Sequence, residues 1–371
     1  MLSSSASRSD QGREQVALVL GGGNALGAYL AGACEFLHER GVLIDRIVGA
    51  SIGAVTAAIL AGNPPGRGLE RLRKFWTEAA PHALPGAPAG PRGRRAYNGA
   101  HVALTAAFGR PGLFAHRYPG LWSMLPGMPG DVALYDHAPL RRTLERLVDF
   151  DRLNRAETRF TLACTDIETG EDVYFDNRHD TIGPEHVLAS TAIAPLFPPV
   201  EIDGRLLSDP GYANNLPLDP VFDPPPGDDL TCIAIDLFSL RNRPPASLDE
   251  TLERAQDIVF ASAGRRRIEA LGREYALREE LRPEGPRVRL VHLAYRAARH
   301  ELATKSLDYS PSSIRDRWAA GRRDMASGLA LLHRAAAEGG GRFRYLPVEP
   351  GKGGATVESG QTSAPALDRA A

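Results

Sequence analysis

The sequence predicts an α/β fold built around a mainly parallel sheet. Three observations predict it. The apolar run Val16–Leu20 stops abruptly at Gly21-Gly22-Gly23, as a strand buried on both faces does where it meets a tight turn. Strand, helix, strand and helix patterns then alternate between residues 16 and 61, the signature of a right-handed crossover unit. Two more short apolar runs, Leu230–Leu237 and Val288–Leu293, lie among charge-laced helical stretches over 246–280 and 311–337.

The elements follow in order. Leu26, Tyr29, Leu30, Ala33, Phe36 and Leu37 recur at helical spacing, and Gly41 closes that helix. Arg46–Ala50 reads as the second strand, residues 52–61 as a helix of small residues, and 68–79 as a further helix. Residues 80–95 are rich in Pro, Gly and Arg and read as a linker or surface loop. Residues 96–135 interleave Phe108, Leu113, Phe114, Tyr118, Trp122 and Met124 with Pro and Gly, without clean periodicity. This insertion reads either as an apolar lid-like wall or as ordinary core. A helix over 139–148 precedes strands at Arg159–Cys164 and Asp172–Phe175. Asp203-Gly204 joins Val200–Ile202 to Arg205–Leu207 as a two-residue hairpin. The expected organisation is a first unit over 15–222, a C-terminal α/β extension over 223–348 that completes the sheet, and disordered tails at 1–14 and 349–371.

Composition narrows the function. The 371 residues carry 44 basic and 45 acidic side chains, a net charge of -1. That balance excludes a nucleic-acid binder held by bulk charge. Three cysteines make no complete disulfide framework, which fits a reducing compartment. No apolar run reaches membrane-spanning length and the N-terminus is polar, so a cytoplasmic protein without signal peptide or transmembrane helix is expected.

Three segments carry chemistry. Gly49-Ala50-Ser51-Ile52-Gly53 matches G-x-S-x-G between a strand and an alanine-rich helix. A nucleophilic serine needs a sharp turn, small neighbours and a helix N-terminus aimed at the developing charge; the bland alternative is a Gly-rich turn with Ser51 as N-cap. Gly21-Gly22-Gly23-Asn24-Ala25-Leu26-Gly27 is a second strand-to-helix turn. Its amides suit an oxyanion hole or a phosphate cradle, but no register fits the dinucleotide fingerprint and no Gly-Lys-Ser/Thr follows. A plain tight turn is the remaining reading. Asp209-Pro210-Gly211 ends a strand and leads into Asn214-Asn215-Leu216-Pro217; alone, such an Asp is a turn residue.

Together these segments resemble the patatin-like phospholipase family, with a Gly-rich oxyanion loop after the first strand, a G-x-S-x-G elbow one strand later and an Asp-Gly segment far downstream. Phe160–Gly170, Ala189–Pro199 and Asp203-Gly204 are similar too, so the resemblance covers residues 16–220, and the C-terminal third resembles a bacterial branch with a helical extension. It implies a three-layer α/β/α patatin-like fold and a serine acyl hydrolase, a phospholipase A or lipid esterase. Ser51 would carry the acyl group and Asp209 would act as general base. The amides of Gly22, Gly23 and Asn24 would form the oxyanion hole. Gly49, Ala50, Ile52 and Gly53 would shape the elbow, and Pro210 and Gly211 the turn after the acid. The resemblance implies no cofactor and no metal; the partner is a lipid or ester substrate, with peripheral membrane contact. A catalytically weak lipid-binding or scaffold protein, or an acyltransferase with the same dyad, are the alternatives. The chain departs from the family at Leu26, where Arg or Lys is usual, and at Asn24 and Pro210, where Gly is usual. Those departures bear on rate more than fold. A Ser-His-Asp triad using His292 is the nearest rival mechanism, and Arg265-Arg266-Arg267 is either an anionic-lipid contact or a solvated helix face.

Overall fold

Side chains that alternate between two covered faces explain the continuous apolar strands. In β1 (Gln15–Leu20), Leu18 and Leu20 point into one apolar cluster while Ala17 and Val19 point into another. The computed structural model describes residues 14–80, 86–88, 90–155, 157–338 and 340–349. Apart from Glu14 and Glu349, the two expected tails lie outside the described residues.

After β1 come α1 (Ala28–Glu39), β2 (Arg46–Ala50), α2 (Ile52–Ala61), α3 (Arg67–Ala79), α4 (Pro91–Phe108), β3 (Ala115–His116), β4 (Tyr135–Asp136), α5 (Ala138–Leu147) and α6 (Phe150–Asn154). There follow β5 (Arg159–Asp166), β6 (Asp172–Asp176), α7 (Pro184–Thr191), β7 (Val200–Ile202), β8 (Arg205–Ser208), α8 (Gly211–Asn214) and α9 (Asp219–Phe222). The C-terminal third adds β9 (Leu230–Asp236), α10 (Leu248–Leu281), β10 (Val288–Ala294), α11 (Pro311–Glu338) and β11 (Phe343–Val348).

Strands β11, β10, β9, β1, β2 and β5 lie side by side in that order, all parallel. β6, β8 and β7 add antiparallel partners at the β5 end. One face is covered by α1, α2, α3, α5, α7 and α11, the other by α9 and α10. The chain therefore folds as three layers, and β9 is an interior strand next to β1, so the C-terminal third is part of the same sheet.

The two turns read as chemical lie at the carboxyl ends of adjacent strands. Leu20 stands opposite Gly49 on one side and Ile235 on the other. Ligands of open parallel sheets bind at such carboxyl ends.

Two expectations need correction. Residues 91–108 form a helix instead of continuing a loop, because Pro91 suits the first helical turn. Its buried stripe is Asn98, His101 and Thr105, so the helical period is carried by polar residues that a hydrophobicity pattern misses. β11 also escaped the sequence reading; it is an edge strand that tolerates Pro347. In the Arg265–Arg267 run on α10, Arg265 pairs with Glu269 at 2.7 Å and Arg267 with Glu274 at 2.9 Å.

α11 lies against α1 through two glycine notches. A Cβ at Gly32 would stand 2.0 Å from the Trp318 carbonyl oxygen, and one at Gly321 would stand 2.0 Å from that of Tyr29. Backbone atoms cannot yield as side-chain ends do. Gly321→Ala is therefore expected to cost about 1–3 kcal/mol or more, read as a lower urea midpoint; an unchanged midpoint contradicts this packing.

Candidate active site

The elbow is forced by close backbone approach. A Cβ at Gly53 would lie 2.1 Å from the Leu20 carbonyl oxygen, and one at Gly49 would lie 2.6 Å from the Ala54 backbone. The first turn of α2 thus sits directly on the end of β1. Ser51 pivots between β2 and α2 with φ +55° and ψ -125°, a conformation that a non-glycine residue holds only when its surroundings enforce it. Its N–H donates to Ser190 Oγ at 3.0 Å, and the Ser190 hydroxyl donates to the Ala163 carbonyl at 2.7 Å.

β8 brings the acid to the serine. β2 pairs with residues 159–163 of β5, and β8 pairs with Thr165 and Asp166. Thr165 is flanked by Asp172 of β6 and Ser208 of β8, and β6 also lies opposite β2 across residues 161–163, so β8 occupies the edge that β2 leaves free. Asp209 follows directly. Its N–H donates to the Ala192 carbonyl at 3.1 Å, and its Oδ1 accepts the Gly211 N–H at 2.8 Å. The Ser51 side chain lies close enough to the Asp209 carboxyl to lower its pKa. Asp209 is 5% exposed. Burial pushes its pKa up to about 7, against the influence of Ser51 and the Gly211 amide, which lower it. Pro210 is accommodated: it heads α8, its carbonyl accepts the amides of Ala213 and Asn214, and the donor to the carboxyl comes from Gly211.

The Gly-rich loop faces the serine. A Cβ at Gly22 would stand 2.9 Å from Ser51 Cβ. One expected donor is corrected: the Gly22 N–H is engaged by the Asn215 carbonyl at 3.2 Å, while Asn215 Nδ2 donates back to the Gly22 carbonyl at 3.2 Å. That exchange fixes the loop and removes Gly22 from the donor set. The N–H groups of Gly23 and Asn24 have no acceptor among the described residues. Asn24 has φ +53°, and its Oδ1 accepts the Tyr309 hydroxyl. Leu26 is wholly buried in the core. A cation still reaches this loop, since Arg317 donates to the Ala25 carbonyl at 3.1 Å.

Gly23, Asn24, Ser51 and Asp209 line a cavity of about 470 Å³ whose other walls are largely apolar. Leu113 and Phe114 of the 96–135 segment belong to those walls, and so do Phe238 and Phe260 of the C-terminal third. Tyr118, Leu121, Trp122 and Met124 of the same segment are exposed instead. The insertion therefore divides between wall and surface. His292 lies elsewhere. It sits on β10, three strands from β2 and so roughly 14 Å away at ~4.8 Å per strand, and its Nδ1 bonds the Tyr345 hydroxyl at 3.0 Å. Sequence reasoning placed Ser190 and Asn215 in notable segments without a role and passed over Tyr309 and Arg317, because each acts across the fold. Among the described residues, no group of three or more His, Cys, Asp or Glu is arranged to hold a metal ion, and no helix is long and apolar enough to cross a membrane.

A model of the patatin-like phospholipase family matches residues 18–222, more than half of the chain. The chain belongs to the patatin-like phospholipase family. A second family model, described as patatin phospholipase, matches residues 269–336. The chain is similar to lysophospholipase NTE1 of Candida glabrata, 26% identical over 241 residues, covering 64% of this chain and 11% of that protein. It is 25% identical over 240 residues to lysophospholipase NTE1 of Meyerozyma guilliermondii, covering 64% of this chain and 14% of that one. The match thus spans a small part of these relatives. Among solved structures, VipD from Legionella pneumophila aligns over 83% of this chain and 67% of its own, at 16% identity and a TM-score of 0.35.

The buried acid of this patatin-like chain has a stability signature. Its pKa of about 7 in the fold exceeds the ordinary 3.8, so the folded chain keeps a proton that the unfolded chain releases. The stability from the neutral carboxyl is complete below pH ~4 and is lost as pH rises to ~7. Asp209→Asn is expected to raise Tm by a few degrees at pH 8, with the gain shrinking toward pH 5; equal Tm values at both pH values contradict the burial cost.

Proposed function

We propose that the chain is a serine acyl hydrolase that cleaves a fatty acyl ester of a lipid through a Ser51–Asp209 dyad. The observation that carries this reading is the convergence of Ser51, on its strained elbow, and the buried Asp209 carboxyl on one largely apolar cavity. In the first half-reaction Ser51 Oγ attacks the ester carbonyl carbon and its proton passes to Asp209. The carbonyl oxygen becomes an oxyanion, held by the Gly23 and Asn24 amides and the positive end of α2. Collapse breaks the carbon–oxygen bond to the alcohol, and protonated Asp209 returns the proton to the leaving oxygen. In the second half a water attacks the acyl-Ser51 carbonyl and gives its proton to Asp209. The same amides hold the charge, and the fatty acid leaves as Ser51 recovers its proton.

A carboxyl poised near pH 7 suits this work, because a base with a pKa near the working pH combines sufficient ionisation with sufficient basicity. The apolar walls suit one acyl chain. The relatives' name, lysophospholipase, supports a glycerophospholipid ester as substrate class. Exposed Tyr118, Leu121, Trp122 and Met124 support peripheral contact of this face with the lipid surface.

Ser51→Ala and Asp209→Asn are each expected to lower kcat by about 1,000-fold or more, while His292→Ala retains most activity, in a fatty ester and lysophospholipid panel. Wild-type kcat/KM is expected to fall tenfold per pH unit below pH ~7, as Asp209 takes up its proton. An active Asp209→Asn beside an inactive His292→Ala reverses the assignment. Folded protein whose Ser51 is not labelled by a fluorophosphonate favours a lipid-binding role.

A further inference from the structure

Two side chains from the C-terminal third grip the Gly-rich loop. The Tyr309 hydroxyl donates to Asn24 Oδ1. Arg317, on α11, spends one terminal nitrogen on the carbonyls of Ala25 at 3.1 Å and Asp308 at 2.9 Å. The other donates to Glu301 Oε2 at 2.8 Å and the Lys305 carbonyl at 3.0 Å. Arg317 is wholly buried and Tyr309 is 1% exposed. Tyr309 is also held by its ring, stacked on Trp76 at 6.4 Å and tilted against Phe114 at 6.5 Å.

This arrangement is costly if stability is its sole purpose. Burying a guanidinium carries a penalty of several kcal/mol that an ion pair seldom more than offsets. Arg317 nevertheless spans from Glu301 to the first turn after the loop. Its charge is neutralised by Glu301 at 2.8 Å and Asp308 at 3.9 Å, so its effect on the loop is geometric and adds little positive field at an oxyanion. The loop needs such support. Asn24 holds φ +53°, a left-handed conformation that Asn tolerates without preferring it, so contacts that fix its side chain fix the loop. The two amides without acceptors, Gly23 and Asn24, immediately precede the carbonyl that Arg317 holds.

We propose that Tyr309 and Arg317 are positioning residues that fix Asn24 and Ala25, so that the Gly23 and Asn24 amides stay aimed at the oxyanion. The C-terminal third then belongs to the catalytic unit. The glycine-notched contact of α11 with α1 sets where Arg317 sits, four residues before Gly321. Leu26 needs no cation of its own, because the loop is braced from α11. The inference rests on the oxyanion role proposed above for these two amides.

The test uses Tyr309→Phe, which keeps the ring and removes only the hydroxyl, and Arg317→Lys, which keeps the charge and loses the two-sided reach. Turnover of a p-nitrophenyl fatty ester is measured per active site, counted by fluorophosphonate titration. Inhibition by a trifluoromethyl ketone with the same acyl chain is measured alongside; its adduct on serine carries an oxyanion. Each variant is expected to lose about 10- to 100-fold in kcat, with KM within about twofold of wild type. The ketone's inhibition constant should rise by the same factor as kcat falls. A merely structural role lowers the number of titrated sites and leaves per-site kcat and ketone affinity unchanged. Wild-type per-site values in both variants, beside an inactive Ser51→Ala, overturn the positioning role alone. A Ser51→Ala chain that still turns over the ester overturns the hydrolase reading, and the positioning role with it.

Discussion

The contact on which the site depends is that of the first turn of α2 against the last carbonyl of β1. Gly53 can take that position only because it has no Cβ, since one would stand 2.1 Å from the Leu20 oxygen. With α2 drawn this close, the chain between β2 and α2 must turn within one residue, and Ser51 takes a strained conformation there. The same approach presses the Gly-rich loop against the serine, so Gly22 too must lack a side chain. Parallel pairing of β1 with β2 and β9 then puts loop, elbow and cavity at one end of the sheet.

Desolvation does the remaining work. An Asp at a strand end in water is a weak base with an ordinary pKa of 3.8, whereas burial raises Asp209 to about 7. The fold gives up stability above that pH and keeps the carboxyl basic, as the proposed role of general base requires. The Gly211 amide, which donates to the carboxyl, and the Ser51 side chain limit the rise. Without them burial alone would raise the pKa further.

What was legible in the sequence is local. The β2 and α2 boundaries and the 200–207 hairpin follow from short-range pattern, and all three chemical segments fall at strand ends as their turn residues indicate. What was not legible is long-range. The Ser51 amide is tied to Ser190 across 139 positions and Gly22 to Asn215 across 193. Arg317 reaches Ala25 across 292, and nothing in its own helix distinguishes it from the exposed arginines nearby. The Gly22 donor failed for that reason, since its partner is chosen by the tertiary fold. α4 escaped because its inner face is polar, and β11 because Pro347 breaks the strand pattern.

The central claim is that the acyl group passes through Ser51. Turnover of a fatty ester, stopped by acid and followed by trypsin and mass spectrometry, tests it most directly, because Ser51 falls on the peptide between Arg46 and Arg67. The account predicts that peptide heavier by one acyl group, with the mass on Ser51 and absent in Ser51→Ala. An acyl adduct on another residue, or turnover that persists in Ser51→Ala with no adduct, would contradict it.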